Sequence, residues 1–383
     1  MKRKIGKLVV GLVCVTALVS VTDSASAAEE KVKYLIGFEK EAELEAFTDE
    51  VEQVGVFSIE EDQQKEDSTD IDVDIIFDYD YIPVLSVELD PEDVDALSEE
   101  DGIAYIEEDF EVSIQQSVPW GITRVQAPAA INRGTNGSGV RVAVLDTGIS
   151  THSDLTIRGG ASFVPGEPNT SDLNGHGTHV AGTIAALNNS IGVVGVAPNA
   201  DLYAVKVLGA NGRGSIGGIA QGLEWAAANN MHIANLSLGS DAPSSTLEQA
   251  VNYATSRGVL VIAASGNNGS GNVGYPARYA NAMAVGATDQ NNNRANFSQY
   301  GAGLDIVAPG VGIQSTYPGN RYASLNGTSM ATPHVAGAAA LVKQRYPSWS
   351  ASQIRNHLKN TSTNLGSSTL YGSGLVNADA ASR

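Results

Sequence analysis

The sequence predicts an α/β protein with a mostly parallel central sheet covered by helices on both faces, preceded by a small α+β domain. Three observations carry that expectation. The charge balance changes sharply between Ile114 and Gln115, short apolar runs alternate with helical stretches after that point, and strand-like runs interrupt the acidic part before it.

Residues 1–27 open with Lys2, Arg3, Lys4 and Lys7, continue in the apolar run Leu8–Val21, and end in Ala25-Ser26-Ala27. A basic start, a short greasy middle and small residues at the end read as an export signal removed from the final protein. The run is short for a bilayer span. The single cysteine, Cys14, lies in that leader. The chain beyond it therefore has no disulfides, and its stability must come from a large core or from bound ions.

Residues 28–114 carry 31 Asp and Glu against 4 Lys and Arg, a net of −27. Residues 115–383 carry 15 Lys and Arg against 11 Asp and Glu, a net of +4. An acidic segment ahead of a mildly basic one suggests a detachable partner. The runs "KYLIGF", "IPVLSVEL" and "IAYIEEDFEV" argue that this segment is a folded α+β unit rather than a solvated tail.

After Gln115 the runs "VRVAVLD" (Val140–Asp146), "LYAVKVL", "IANLSL", "VLVIAAS" and "AMAVGA" read as buried strands. Gly177–Leu187, Ser215–Asn229 and Ser244–Arg257 read as helices between them. Uninterrupted apolar strands alternating with helices indicate a parallel sheet covered on both sides. Such sheets place functional groups at the carboxyl ends of their strands.

Asp146 stands at one such end, in "AVLDTGIS", although alone it fits an ordinary turn with Gly148. His176 and His179 lie in "NGHGTHVAG". Their spacing lacks the Glu and the separation of the zinc-protease helix motif. His176 at the helix start can act as a base, and His179 one turn in reads as a buried, hydrogen-bonded residue. Ser329, in "NGTSMATPHVAGAAALV", precedes an almost wholly apolar helix, in which Pro333 is tolerable near the first turn. Alone, Ser329 is read most simply as a helix cap. A serine hydroxyl is a poor nucleophile unless a base takes its proton. The conjunction of Asp, His and Ser in that order supplies the base and a group to orient it.

Asp…His…Ser is the order of subtilisin. With "DTG" at Asp146, "HGTH" at His176 and "GTSMATP" at Gly327, the sequence from Gln115 to Arg383 resembles the subtilisin family of serine proteases, and within it the high-alkaline bacterial subtilisins. The resemblance implies Asp146, His176 and Ser329 as a catalytic triad and the Asn267 side chain as an oxyanion donor beside the Ser329 N–H. It implies that Gly212, Arg213 and Gly214 flank an extended peptide on one side and Ser237, Leu238 and Gly239 on the other. Ile216 would serve a distal subsite, and Ala263–Gly266 would wall a roomy pocket for large apolar side chains before the cleaved bond. It implies calcium held by side chains of Gln116, Asp154 and Asn189 and carbonyls of Leu187, Ile191 and Val193. A weaker cation site would lie at the carbonyls of Ala277, Tyr279 and Ala282. Residues 28–114 become a propeptide that assists folding and then inhibits, cut after Ile114, and residues 115–383 the mature peptidase domain. The expected partners are protein and peptide substrates and the chain's own propeptide, with no nucleic acid, no membrane anchor and a monomeric state; the expected location is extracellular.

Two other readings make different demands. An esterase of the α/β-hydrolase type requires G-x-S-x-G and the order Ser…Asp…His, whereas Ser329 sits in G-T-S-M-A. A binding protein that merely kept the scaffold is expected to have lost a catalytic side chain, and none is missing.

Overall fold

The computed structural model describes residues 31–60, 68–110 and 116–383. The leader and the expected cut after Ile114 lie outside the described residues. The chain divides into two compact units, Met1–Val112 and Ser113–Arg383.

In the first unit, strand β1 (Val32–Phe38) leads into helix α1 (Glu41–Val54), the hairpin of β2 (Val56–Glu60) and β3 (Ser68–Asp72), β4 (Asp74–Asp78), β5 (Val84–Leu89), the short α2 (Val94–Leu97) and β6 (Ile103–Glu108). Strands β4-β5-β1-β6 form an antiparallel sheet. Leu44, Phe47 and Val51 of α1 recur at helical spacing and are buried in one core with Ile36, Phe38, Leu85 and Val87, which alternate along their strands. Gly55 ends α1 in the left-handed region, its N–H closing on the Val51 carbonyl at 2.8 Å. The α+β expectation holds.

The second unit begins with α3 (Trp120–Arg124) and α4 (Ala127–Asn132), followed by β7 (Arg141–Asp146), β8 (Ile157–Ser162), α5 (His176–Ala185), β9 (Asp201–Lys206), α6 (Ile216–Ala228), β10 (Ile233–Leu236), α7 (Ser245–Ser256), β11 (Leu260–Ala264), β12 (Ala282–Thr288) and β13 (Ile306–Pro309). A hairpin of β14 (Ile313–Tyr317) and β15 (Arg321–Leu325) precedes the long α8 (Thr328–Arg345) and α9 (Ala351–Asn360). The seven-stranded sheet runs β13-β12-β11-β10-β7-β9-β8, every pair parallel.

Alternate residues of β7 enter different cores. Val142 and Val144 join α5, α8 and α9, whereas Ala143 and Leu145 join α6 and α7. That double burial is why these strands are apolar without a break. Ser215 and Ser244 cap α6 and α7, accepting from the Gly218 and Leu247 N–H groups. Chain order reverses direction at β7, with β9 on one side and β10 on the other. The crevice beyond the carboxyl ends of β7 and β10 is therefore the expected place for a site.

Candidate active site

Asp146 is the last residue of β7 and fully buried. Its Oδ1 accepts from the His176 ring Nδ1–H at 2.8 Å and from the Thr147 N–H at 2.7 Å. His176 is the first residue of α5, which starts close against the β7 loop. A Cβ on Gly177 would sit 2.1 Å from the Gly148 carbonyl oxygen, so only glycine permits this approach. Burial pushes the His176 pKa down, but the charge and hydrogen bond of Asp146, with the charge of Asp172, outweigh it and raise the pKa above the ordinary 6.5.

Asp172 is not singled out by any motif in the sequence. It is buried, and its two oxygens accept five hydrogen bonds: from the Thr147 and Thr178 hydroxyls and from the N–H groups of Asn174, Gly175 and Thr178. One carboxylate thus ties the neighbour of Asp146 to the start of the helix bearing His176. Its only sequence signal is an acid just before a helix N-terminus. Lys206, fully buried at the end of β9, braces the same loop through the Thr147 and Ser171 carbonyls and an ion pair with Glu167.

His179 turns away from the crevice. Its Nε2–H points at the Ile313 and Ala323 carbonyls of the β14–β15 hairpin, and burial lowers its pKa to about 4. This is the bonded, buried histidine expected from its position.

Ser329 is the second residue of α8, and Gly327 rather than Ser329 is the cap. The Ser329 hydroxyl donates to the Ser237 carbonyl at 3.0 Å, and the Ser237 hydroxyl donates back to the Ser329 carbonyl at 2.8 Å. Pro333 explains the second bond, and it corrects the expectation of a first-turn proline. It lies in the second turn, where its missing N–H leaves the Ser329 carbonyl without a helical donor. Ser237, itself held by the Asn235 amide at 3.0 Å, fills the gap. No hydrogen bond joins Ser329 to His176 among the described residues, a looseness common in catalytic sites without substrate.

Asn267 accepts from the Thr328 N–H at 2.8 Å and the Thr328 hydroxyl at 2.9 Å, both at Oδ1. Its Nδ2 and the Ser329 N–H have no acceptor among the described residues. Both nitrogens lie close to Gly327: a Cβ built there would be 3.5 Å from the Ser329 nitrogen and 3.6 Å from Asn267 Nδ2. Gly327 also has φ of 152°, which disfavours a side chain there.

Two adjoining cavities share Leu238, Gly239 and Ser240. The larger, about 540 Å³, reaches His176 and is lined by Gly212, Arg213, Gly214, Ile216 and Ser237 among others. The smaller, about 230 Å³, is lined by Ala264, Gly266, Asn267 and Ser329 among others. Of the residues expected to meet substrate, nine border these two spaces, whereas Ala263 and Ser265 are fully buried and line neither.

The expected calcium ligands also meet. The Leu187, Ile191 and Val193 carbonyls and Asn189 Oδ1 surround the Gln116 amide nitrogen at 2.5–3.2 Å. Asp154 adjoins them, bonded to the Asn189 amide and the Val193 N–H at 3.0 Å each, and burial raises its pKa. At the second expected cation site, the Tyr279 carbonyl accepts from the Ala282 N–H at 2.9 Å, and the side chains of Ala277, Tyr279 and Ala282 are buried. Among the described residues no three His, Cys, Asp or Glu gather as a metal cluster.

A buried carboxylate bonded to a histidine, a serine at a helix start and two amide nitrogens without acceptors among the described residues are the parts that a serine hydrolase of the Asp-His-Ser kind requires. The chain belongs to the subtilase family, whose model matches residues 137–374, and is a subtilisin-type serine protease. Residues 33–115 match the peptidase inhibitor I9 family. An alkaline protease of Alkalihalobacillus alcalophilus is 70% identical over 388 residues, covering all of both chains. Alkaline elastase YaB of Bacillus sp. (strain YaB) is 69% identical over 384 residues, again over both full lengths. Subtilisin Savinase of Lederbergia lenta is 82% identical over 268 residues, which is 70% of this chain and all of that protein.

Proposed function

We propose that this chain is exported as an inhibited precursor and matures into an alkaline endopeptidase of broad specificity that prefers large apolar residues before the cleaved bond. The observation that carries the reading is the 2.8 Å bond between His176 Nδ1 and the fully buried Asp146, which leaves the other ring nitrogen for the nucleophile. On this reading the Ser329 hydroxyl leaves the Ser237 carbonyl, gives its proton to His176 Nε2 and attacks the substrate carbonyl. Asp146 fixes the tautomer and stabilises the imidazolium. The oxyanion is received by the Ser329 N–H, with the dipole of α8 behind it, and by Asn267 Nδ2–H. His176 then protonates the leaving amine, and water, activated by the same histidine, hydrolyses the acyl-enzyme. The names of the alkaline relatives, and the small side chains of Ala264 and Gly266 in the smaller cavity, support the pH range and the apolar preference.

Only neutral imidazole accepts a proton. Because the His176 pKa is raised, the limb along which kcat/KM rises with pH is expected to have its midpoint above 6.5. A limb at or below that value contradicts the Asp146–His176 assignment. Faster hydrolysis of a chromogenic peptide with leucine or phenylalanine before the cut than of a simple ester tests the reaction class. Ester hydrolysis alone would overturn it.

The oxygen cage around Gln116 fits calcium, a hard cation that takes carbonyl, amide and carboxylate oxygens. Gln116, Asp154, Asn189 and the carbonyls of Leu187, Ile191 and Val193 would hold it, and a bound ion would stabilise the native loop by mass action. At 100 times its dissociation constant it contributes about 2.7 kcal/mol. Chelation is expected to shorten the half-life against heat and self-digestion, and Asp154→Ala to blunt the response to added calcium. Equal inactivation rates with and without chelator would remove the site. Ala277, Tyr279 and Ala282 are the proposed ligands of the weaker cation.

Export rests on the leader sequence, and among the described residues no helix is long and apolar enough to cross a membrane. The inhibitor-family match of residues 33–115, together with the opposite charges of the two segments, supports an acidic propeptide that binds its own protease. A monomeric mature enzyme completes the proposal.

A further inference from the structure

The smaller cavity beside Ser329 holds one feature that an apolar preference does not use. Asp241 lines it, and Asp241 is the only charged residue among its lining. The carboxylate is oriented by two neutral amides: Asn268 Nδ2 lies 3.2 Å from both oxygens, and Gln299 Nε2 lies 3.3 Å from Oδ1. Gln299 is itself buried and fixed by a 2.7 Å bond to the Asn272 carbonyl. Neither amide neutralises the charge, and no Lys or Arg pairs with Asp241 among the described residues. The opposite holds in the larger cavity, whose lining includes Arg213 and no acid.

We infer that Asp241 is a specificity-determining residue that extends the pocket's preference from apolar side chains to long ones ending in a cation, lysine above all. This rests on the smaller cavity being the pocket for the residue before the cleaved bond. A lysine stem is apolar and fits the same walls as leucine, while its ammonium stays near solvent, where the Asp241 carboxylate stands. Glutamate in the same place meets repulsion. Asp241 is exposed, so water and salt screen the attraction. Its effect is therefore a bias of roughly twofold to fivefold, not a switch.

The test is a set of peptides identical except before the cut: lysine, norleucine, glutamate, glutamine and glycine. Norleucine is lysine without the ammonium, so the lysine-to-norleucine ratio of kcat/KM isolates the charge. In Asp241→Asn that ratio is expected to fall roughly twofold to fivefold and the glutamate-to-glutamine ratio to rise. Asp241→Glu is expected to keep the parent pattern. In the unmutated enzyme, raising salt toward 1 M is expected to lower the lysine-to-norleucine ratio as well. A residue that only ties Asn268 and Gln299 would change all peptides alike, so ratios unchanged by both the substitution and salt overturn the inference. The pocket assignment fails separately, if the parent enzyme cleaves after norleucine no faster than after glycine.

Discussion

Ser329→Ala is expected to lower peptide hydrolysis by roughly 10⁶-fold, the scale known for loss of the serine in a subtilisin itself. A methyl group cannot attack a carbonyl, while the oxyanion donors and the binding cavities remain. The fold should survive. The side chain gives up one bond, to the Ser237 carbonyl, whereas the bond that compensates for Pro333 uses the Ser329 backbone and stays. The same substitution is expected to stop self-processing, so that a chain running from Ala28 to Arg383 accumulates when made in a host without other proteases. Its mass distinguishes the outcomes: removal of residues 28–114 from that variant would mean another enzyme makes the cut.

Asn267→Asp carries the second largest expected effect. Aspartate keeps an oxygen that can accept from the Thr328 N–H and hydroxyl, so the loop retains its anchor. It replaces the amide N–H proposed to receive the oxyanion with a negatively charged oxygen. Turnover is expected to fall by roughly 10²-fold to 10³-fold or more, the scale established for loss of this donor in a subtilisin. KM should change little, because the missing interaction strengthens only as charge develops on the oxygen. Equal losses in kcat and substrate affinity would place Asn267 in binding rather than in transition-state stabilisation.

Much of this site was readable from residue types because its parts sit at element ends. Val140–Asp146 reads as a strand since both faces of β7 are buried, and Ser215 and Ser244 mark helix starts by their capping chemistry. Other parts left weak signals or none. The edge strand β8 contains Gly159 and Gly160 and so lacks an apolar run. Asp172 and Lys206 form a buried polar network, which follows no period and resembles surface sequence until the fold encloses it. Ser237 and Ser329 lie 92 positions apart, and their reciprocal bonds exist because Pro333 withholds a donor, a demand that sequence spacing does not express. Carbonyls such as those of Leu187, Ile191 and Val193 belong to every residue type, so the oxygen cage was accessible only through resemblance. Asp241 has no sequence signal that sets it apart from other loop acids, and only the fold places it in the cavity wall.

The central claim is that Asp146 and His176 activate Ser329. It is tested most directly by treating the mature protein with a serine-directed phosphonylating reagent across a range of pH and mapping the modified peptide by mass. One adduct per chain is expected, on Ser329, forming at a rate that rises along the His176 titration above pH 6.5 and falls sharply in His176→Ala. An adduct on another residue, or labelling of Ser329 at a rate indifferent to His176, would contradict it.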